Sequence, residues 1–149
     1  MDLFEETSEL LVELERQGLQ YAIAGAVALA IHGVPRATTD IDLLVRPAAV
    51  PAVLEAARAR GFDIEALPMR FSDGMEVRRV TKIQGDHTLT LDLLLVNEAL
   101  EPVWNDRLRI DAGFATVWTV SREGLIRMKA AAGRDQDRAD IQRLRELDR

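Results

Sequence analysis

The sequence predicts an α+β domain, a mixed β-sheet flanked by helices. Three observations point there. Helical and strand-like patterns alternate over the first sixty residues. Glu76–Ile83 and Thr88–Val96 flank Gln84-Gly85-Asp86-His87 and read as a hairpin. Two helical runs separated by Gly133 close the chain. A hairpin among alternating strands and helices gives a mixed sheet with helices packed on it.

Taken in order, Leu3–Arg16 carries Leu3, Leu10, Leu11 and Leu14 among acids, the pattern of an amphipathic helix that Gly18 ends. Gln20–Ala24 is a short strand. Ala26–Ile31 is a short helix just after Gly25, broken by Gly33-Val34-Pro35. Ile41–Val45 is the next strand. Pro47 opens a helix through Arg60, closed by Gly61. The hairpin follows, then a helix over Glu98–Arg107. Arg109–Val120 is strand-like and interrupted by Gly113. Ser121 caps a helix to Ala132. The last helix runs from Asp135 to Leu147, with Ile141, Leu144 and Leu147 on one face.

With 149 residues the chain supports one domain, 1–149, around one core. Hydrophobic residues make up 48% and charged residues 30%, a folded rather than a disordered composition. A net charge of −6 argues against a generally basic, nucleic-acid-coating surface, while leaving room for RNA on a local patch. The absence of cysteine removes disulfides, thiolate zinc sites and cysteine nucleophiles, and suits the cytoplasm. The acidic start lacks the basic opening of a signal peptide. The longest apolar stretch, Tyr21 to Ile31, is too short to span a bilayer. Only His32 and His87 are present, so zinc and Ser-His-Asp chemistry are disfavoured.

Asp40-Ile41-Asp42 is the most informative motif. Alternation along a strand puts both carboxylates on one face. Two close carboxylates repel unless a cation lies between them, and a divalent ion with oxygen ligands is the usual one. Upstream, the Gly25-Ala26 turn can bring backbone N–H groups to phosphate. Asp92 is the single charge in the most apolar strand, Thr88–Val96, and such an acid needs a partner or a cation. Pairing that strand with Ile41–Val45 would gather Asp40, Asp42 and Asp92. Three carboxylates suit two Mg²⁺ (or Mn²⁺) ions and in-line phosphoryl transfer. In that scheme Asp40 and Asp42 hold the metal on the triphosphate, and Asp92 helps with the second metal and acts as base. The plainer readings are a turn cap for Asp40 and a strand-edge position for Asp92. A phosphatase with an aspartate nucleophile fits less well, because Ala37-Thr38-Thr39 rather than a hydrophobic strand precedes Asp40. A glycosyltransferase would usually need a larger domain.

At these residues the sequence resembles the nucleotidyltransferase superfamily of the DNA-polymerase-beta type. The matching features are Gly25-Ala26, Asp40-Ile41-Asp42 and Asp92. The resemblance is greatest to small bacterial members related to the AbiEii abortive-infection toxins, through His32-Gly33, Arg36 and Thr38 upstream and Lys129, Arg134, Asp137 and Asp140 downstream. It spans Tyr21 to Leu147. It implies a minimal nucleotidyltransferase fold and metal-dependent transfer of a nucleotide from an NTP to an acceptor hydroxyl on RNA, protein or a small molecule. It also implies a toxin–antitoxin or phage-defence setting, with a partner protein. Gly25, Ala26, Arg36, Thr39, Lys129 and Arg134 become the expected nucleotide-binding set, although Thr38 and Thr39 more commonly bond the turn backbone. Asp137 and Asp140 share a helix face and are expected to orient Lys129 or Arg134. Ala26 departs from the family's Gly or Ser and lacks the hydroxyl that would touch phosphate. There is little room for a separate acceptor domain. The competing expectation is therefore an antitoxin-like, partner-binding module that keeps the fold without catalysis.

Overall fold

The computed structural model describes residues 1–147. The first helix, α1 (Leu3–Arg16), is capped by Asp2, whose carboxylate accepts from the N–H groups of Phe4 and Glu5, and it buries Thr7, Leu10, Leu11 and Leu14. Strand β1 (Ala22–Ala24) is short and wholly buried, and α2 (Gly25–Ile31) follows it directly. Strand β2 (Asp40–Val45) begins one residue earlier than expected, at the first aspartate itself.

The helix expected from Pro47 divides into a 3₁₀ turn, Pro47–Ala49, and α3 (Val50–Ala59). Pro51 has no N–H to give to the Pro47 carbonyl, so Val50 bonds it instead and the turn tightens. The same happens at Glu98–Leu100 before α4 (Glu101–Asn105), where Pro102 lacks a donor for Glu98 and Glu101 supplies one. Two edge strands were not foreseen, β3 (Ile64–Glu65) and β4 (Met69–Arg70). Each is two residues long, and Pro68 between them interrupts any ladder, so neither leaves a periodic signal.

Strands β5 (Glu76–Gln84) and β6 (His87–Leu95) form the hairpin around a two-residue Gly85-Asp86 turn. Gly85 has φ 61°, as the first position of a type II′ turn requires. The Arg109–Val120 stretch is a second hairpin, β7 (Leu108–Asp111) and β8 (Thr116–Thr119), folded back around Gly113. Helix α5 (Arg122–Ala132) is capped by Ser121 and stopped by left-handed Gly133, and α6 (Asp135–Glu146) follows.

The strands form one mixed sheet in the order β3-β5-β6-β2-β1-β8-β7, with β4 also on β5. Strand β2 runs parallel to β6 and antiparallel to β1, while β1 runs parallel to β8. One set of alternating side chains, Ile41, Leu43, Leu91 and Leu93, is fully buried. The opposite face carries Asp40, Asp42, Asp92 and Arg79 into a cleft shared with α5 and α6. Trp104 is buried, as expected for core packing, with the Arg107 guanidinium 4.1 Å from its ring centroid. Among the described residues no helix is long and apolar enough to cross a membrane.

Candidate active site

The cleft has a volume of about 590 Å³. Its floor is built by register. In the β2–β6 ladder Asp42 lies directly opposite Asp92, and in the β1–β2 ladder it lies opposite Ala24. Chain reversal at Gly25 sets the backbone against Asp42. A Cβ at position 25 would stand 1.9 Å from an Asp42 carboxylate oxygen, and φ there is +61°, so only glycine fits.

The carboxylates differ in surroundings. Asp40 is exposed and Asp42 is partly buried. Burial, followed by the charges of Asp92 and Asp40, pushes the Asp42 carboxyl up to about 7, against the opposing pull of Arg79 and Lys129. Among the described residues its carboxylate takes no hydrogen bond or ion pair. Asp92 is buried and held from the side by Arg79 of β5, its ladder partner, through Nε at 2.8 Å and Nη2 at 3.0 Å. Among the described residues no three His, Cys, Asp or Glu side chains converge into a ready metal cage. The expected trio is instead an unpaired couple, Asp40 and Asp42, beside an arginine-bound Asp92. The couple presents hard, uncompensated oxygen donors, which fit a divalent cation.

Cations collect on the opposite side. Lys129 of α5 is buried, with Nζ 2.9 Å from Asp140 and 3.3 Å from Asp137 of α6. Arg36 grips Asp140 with both Nη atoms, one at 2.8 Å. Arg134 holds Asp137 through Nε at 2.6 Å and Nη2 at 3.1 Å, and its backbone N–H also donates to Asp137. Burial raises both aspartates, yet the arginine and lysine bonds and charges bring them below the usual carboxylate range. Three cations against two anions leave this wall one charge positive, whereas the three carboxylates against Arg79 leave the floor two charges negative once Asp42 is ionised. The cleft is therefore polarised as a metal-bound polyphosphate would need.

Over residues 1–147 the sequence matches the family described as nucleotidyltransferase of unknown function (DUF6036). The chain belongs to this family of nucleotidyltransferases. Solved structures of other proteins share the fold. The antibiotic-resistance factor ANT(2″)-Ia superposes with a TM-score of 0.62 at 16% identity, over 95% of this chain and 80% of that one. A second structure of ANT(2″)-Ia holds adenylyl-2″-tobramycin and matches over 86% of its length. TM1012 of Thermotoga maritima gives a TM-score of 0.61 at 13% identity, covering 95% of this chain and 91% of its own. JHP933 of Helicobacter pylori gives 0.58 at 16%, covering 95% and 64%. Comparison with curated proteins gives no match.

In this cleft most of the residues picked from sequence come together. Asp40, Asp42, Asp92, Gly25, Ala26, Arg36, Lys129 and Arg134 all line it. Thr39 is the exception. It is exposed outside the cleft, and its carbonyl accepts from the Thr90 N–H at 3.0 Å. Thr38 lines the cleft instead, and its hydroxyl accepts from the Asp40 N–H at 3.0 Å, tying the turn. Lys129 sits deeper than the helix margin expected for it, because Asp137 and Asp140 draw it in. Arg79 was missed. Its signal was present: pairing Ile83 with Thr88 and counting back along both strands puts Arg79 opposite Asp92.

Proposed function

We propose that this cleft binds an NTP with Mg²⁺ or Mn²⁺ and transfers its NMP group to an acceptor hydroxyl. The observation that carries the reading is Asp42, a partly buried carboxylate without a hydrogen-bonded partner, set between two further acids and facing a positive wall. Asp40 and Asp42 would hold the metal, which when bound neutralises phosphate charge and aligns the reacting groups. Arg36, Lys129 and Arg134 bind the β- and γ-phosphates. The acceptor oxygen attacks the α-phosphorus in line. A new P–O bond forms, the bond between the α-phosphorus and the bridging oxygen to the β-phosphate breaks, and pyrophosphate leaves. The acceptor proton passes to Asp92. A carboxylate has about four lone-pair positions, so the two N–H groups of Arg79 leave Asp92 room to accept it. Arg79 thus orients the base rather than replacing its substrate.

RNA, protein and small-molecule acceptors all suit this chemistry, and the tobramycin adduct held by ANT(2″)-Ia favours the last. Isothermal calorimetry tests the reading. NTP affinity should rise with Mg²⁺ or Mn²⁺, and Asp40→Asn with Asp42→Asn should abolish that dependence while the circular dichroism spectrum stays unchanged. Equal metal-dependent binding by the double variant would refute it. The competing role, a non-catalytic partner-binding module of a toxin–antitoxin pair, draws on the engagement of Asp92 and Lys129 in ion pairs. It requires stable copurification with a partner protein and no metal-dependent NTP binding.

A further inference from the structure

The cleft has a second half that the triphosphate chemistry leaves unused. On β6, Leu94 follows Asp92 on the same face, about 7 Å along the strand. Its ladder partner on β5 is Val77, which follows Arg79 in the same sense toward the strand end. Met75 and Phe71 continue this surface from the turn between β4 and β5. That turn is closely tied. Phe71 N–H donates to the Met75 carbonyl at 2.8 Å, Gly74 N–H donates to the Phe71 carbonyl at 2.9 Å, and Gly74 is left-handed with φ 87°. The turn's one acid, Asp73, is bent back to accept from the Met75 N–H at 3.0 Å. Phe71 is nevertheless 51% exposed, an aromatic ring held at the lip of the cleft by an ordered turn. With the half-buried Met75 and Leu94 beside it, the ring gives the lip a small apolar patch open to a ligand.

Charge narrows the ligand. The cleft-lining cations are Arg36, Arg79, Lys129 and Arg134. Three of them belong to the wall opposite, and Arg79 is already answered by Asp92. The Phe71 side therefore offers no cation for a phosphate backbone, and beside its one exposed anion, Asp73, the surface it presents is apolar. It adjoins Asp92, where the acceptor hydroxyl must arrive. We propose that Phe71, Met75, Val77 and Leu94 form the acceptor subsite, and that the acceptor is a hydroxyl compound presenting a flat aromatic or apolar body. This rests on the nucleotidyl-transfer reading and names its acceptor class.

The four methionines give a direct probe. Met75 and Met128 line the cleft, Met69 is the ladder partner of Val77, and Met1 lies outside the lining and serves as the internal control. The full chain, labelled with methyl-¹³C methionine, is saturated with Mg²⁺ and a non-hydrolysable ATP analogue and titrated with 4-methylphenol. The Met75 methyl signal should shift saturably while Met1 stays still. Phe71→Ala should weaken the phenol by about three- to tenfold through loss of ring contact, and Phe71→Trp should retain it. Analogue binding, read separately by calorimetry, should change less than twofold in both variants. No saturable Met75 shift, or equal phenol binding by Phe71→Ala, overturns the proposal. So does a Met75 shift produced by triuridylate RNA or tobramycin at lower concentration than by the phenol. Failure of the analogue to bind the unaltered protein sinks the nucleotidyl reading instead, since the Met75 titration is also run without it.

Discussion

At the scale of single residues, Asp42 decides the electrostatics of the cleft. Its carboxyl is raised from the ordinary 3.8 to about 7, by burial first and then by Asp92 and Asp40. A carboxyl raised in the folded state holds its proton more tightly there than in the unfolded chain. The stability this supplies is complete below the unfolded value and is lost as pH rises through about 7. In EDTA, Asp42→Asn should therefore melt above the unaltered protein at pH 8, with the difference closing toward pH 4. Thermal melts across that range check it, and a destabilised asparagine variant at pH 8 would contradict the shift. Arg79 works against the same shift. Arg79→Gln should move the Asp42 midpoint further up, because one of the two cations lowering it is gone. Carboxyl ¹³C titration of the metal-free protein reads this directly.

At the scale of elements, α5 and α6 are joined by charge more than by apolar contact. The buried residues of α6 are Asp137, Asp140 and Leu144, so two of its three buried positions are acids. Lys129 reaches both acids from α5, and Arg36 reaches Asp140 from the segment before β2. Removing one member of a buried ionic cluster leaves its partners desolvated and unpaired, at a cost of about 3–5 kcal/mol. Lys129→Ala should lose stability on that scale in urea unfolding, as well as NTP affinity. A loss below about 1 kcal/mol, the range of exposed ion pairs, would show that the lysine is not needed to hold α6.

At the scale of the whole molecule, the two groups of acids set opposite limbs of the pH profile. Asp137 and Asp140 titrate below the ordinary value in the fold because their arginine and lysine partners outweigh burial. Their contribution is present above the unfolded value and is lost as pH falls through the folded one. Asp42 acts in the other direction. The metal-free protein should be most stable near pH 4 and lose stability from there up to about pH 7, and Asp140→Asn should flatten only the acid limb. Denaturant midpoints across pH 3 to 9 test the profile. Added metal should extend stability on the alkaline side alone, by favouring the ionised form of Asp42.

What the sequence determined by itself was the local chemistry. Alternation placed Asp40 and Asp42 on one face, the lone charge of Thr88–Val96 marked Asp92 as needing a partner, and Ser121 and Gly133 bounded α5. These are short-range effects that depend on period and on backbone preference. Hairpin register also held Arg79, although it had to be counted across a turn. Only the tertiary structure decided which partners met. The parallel pairing of β2 with β6 joins segments about fifty residues apart, and no local preference fixes it. The burial of Lys129 depends on where α6 packs, since a helical lysine reads as a surface residue until two aspartates from another element close over it.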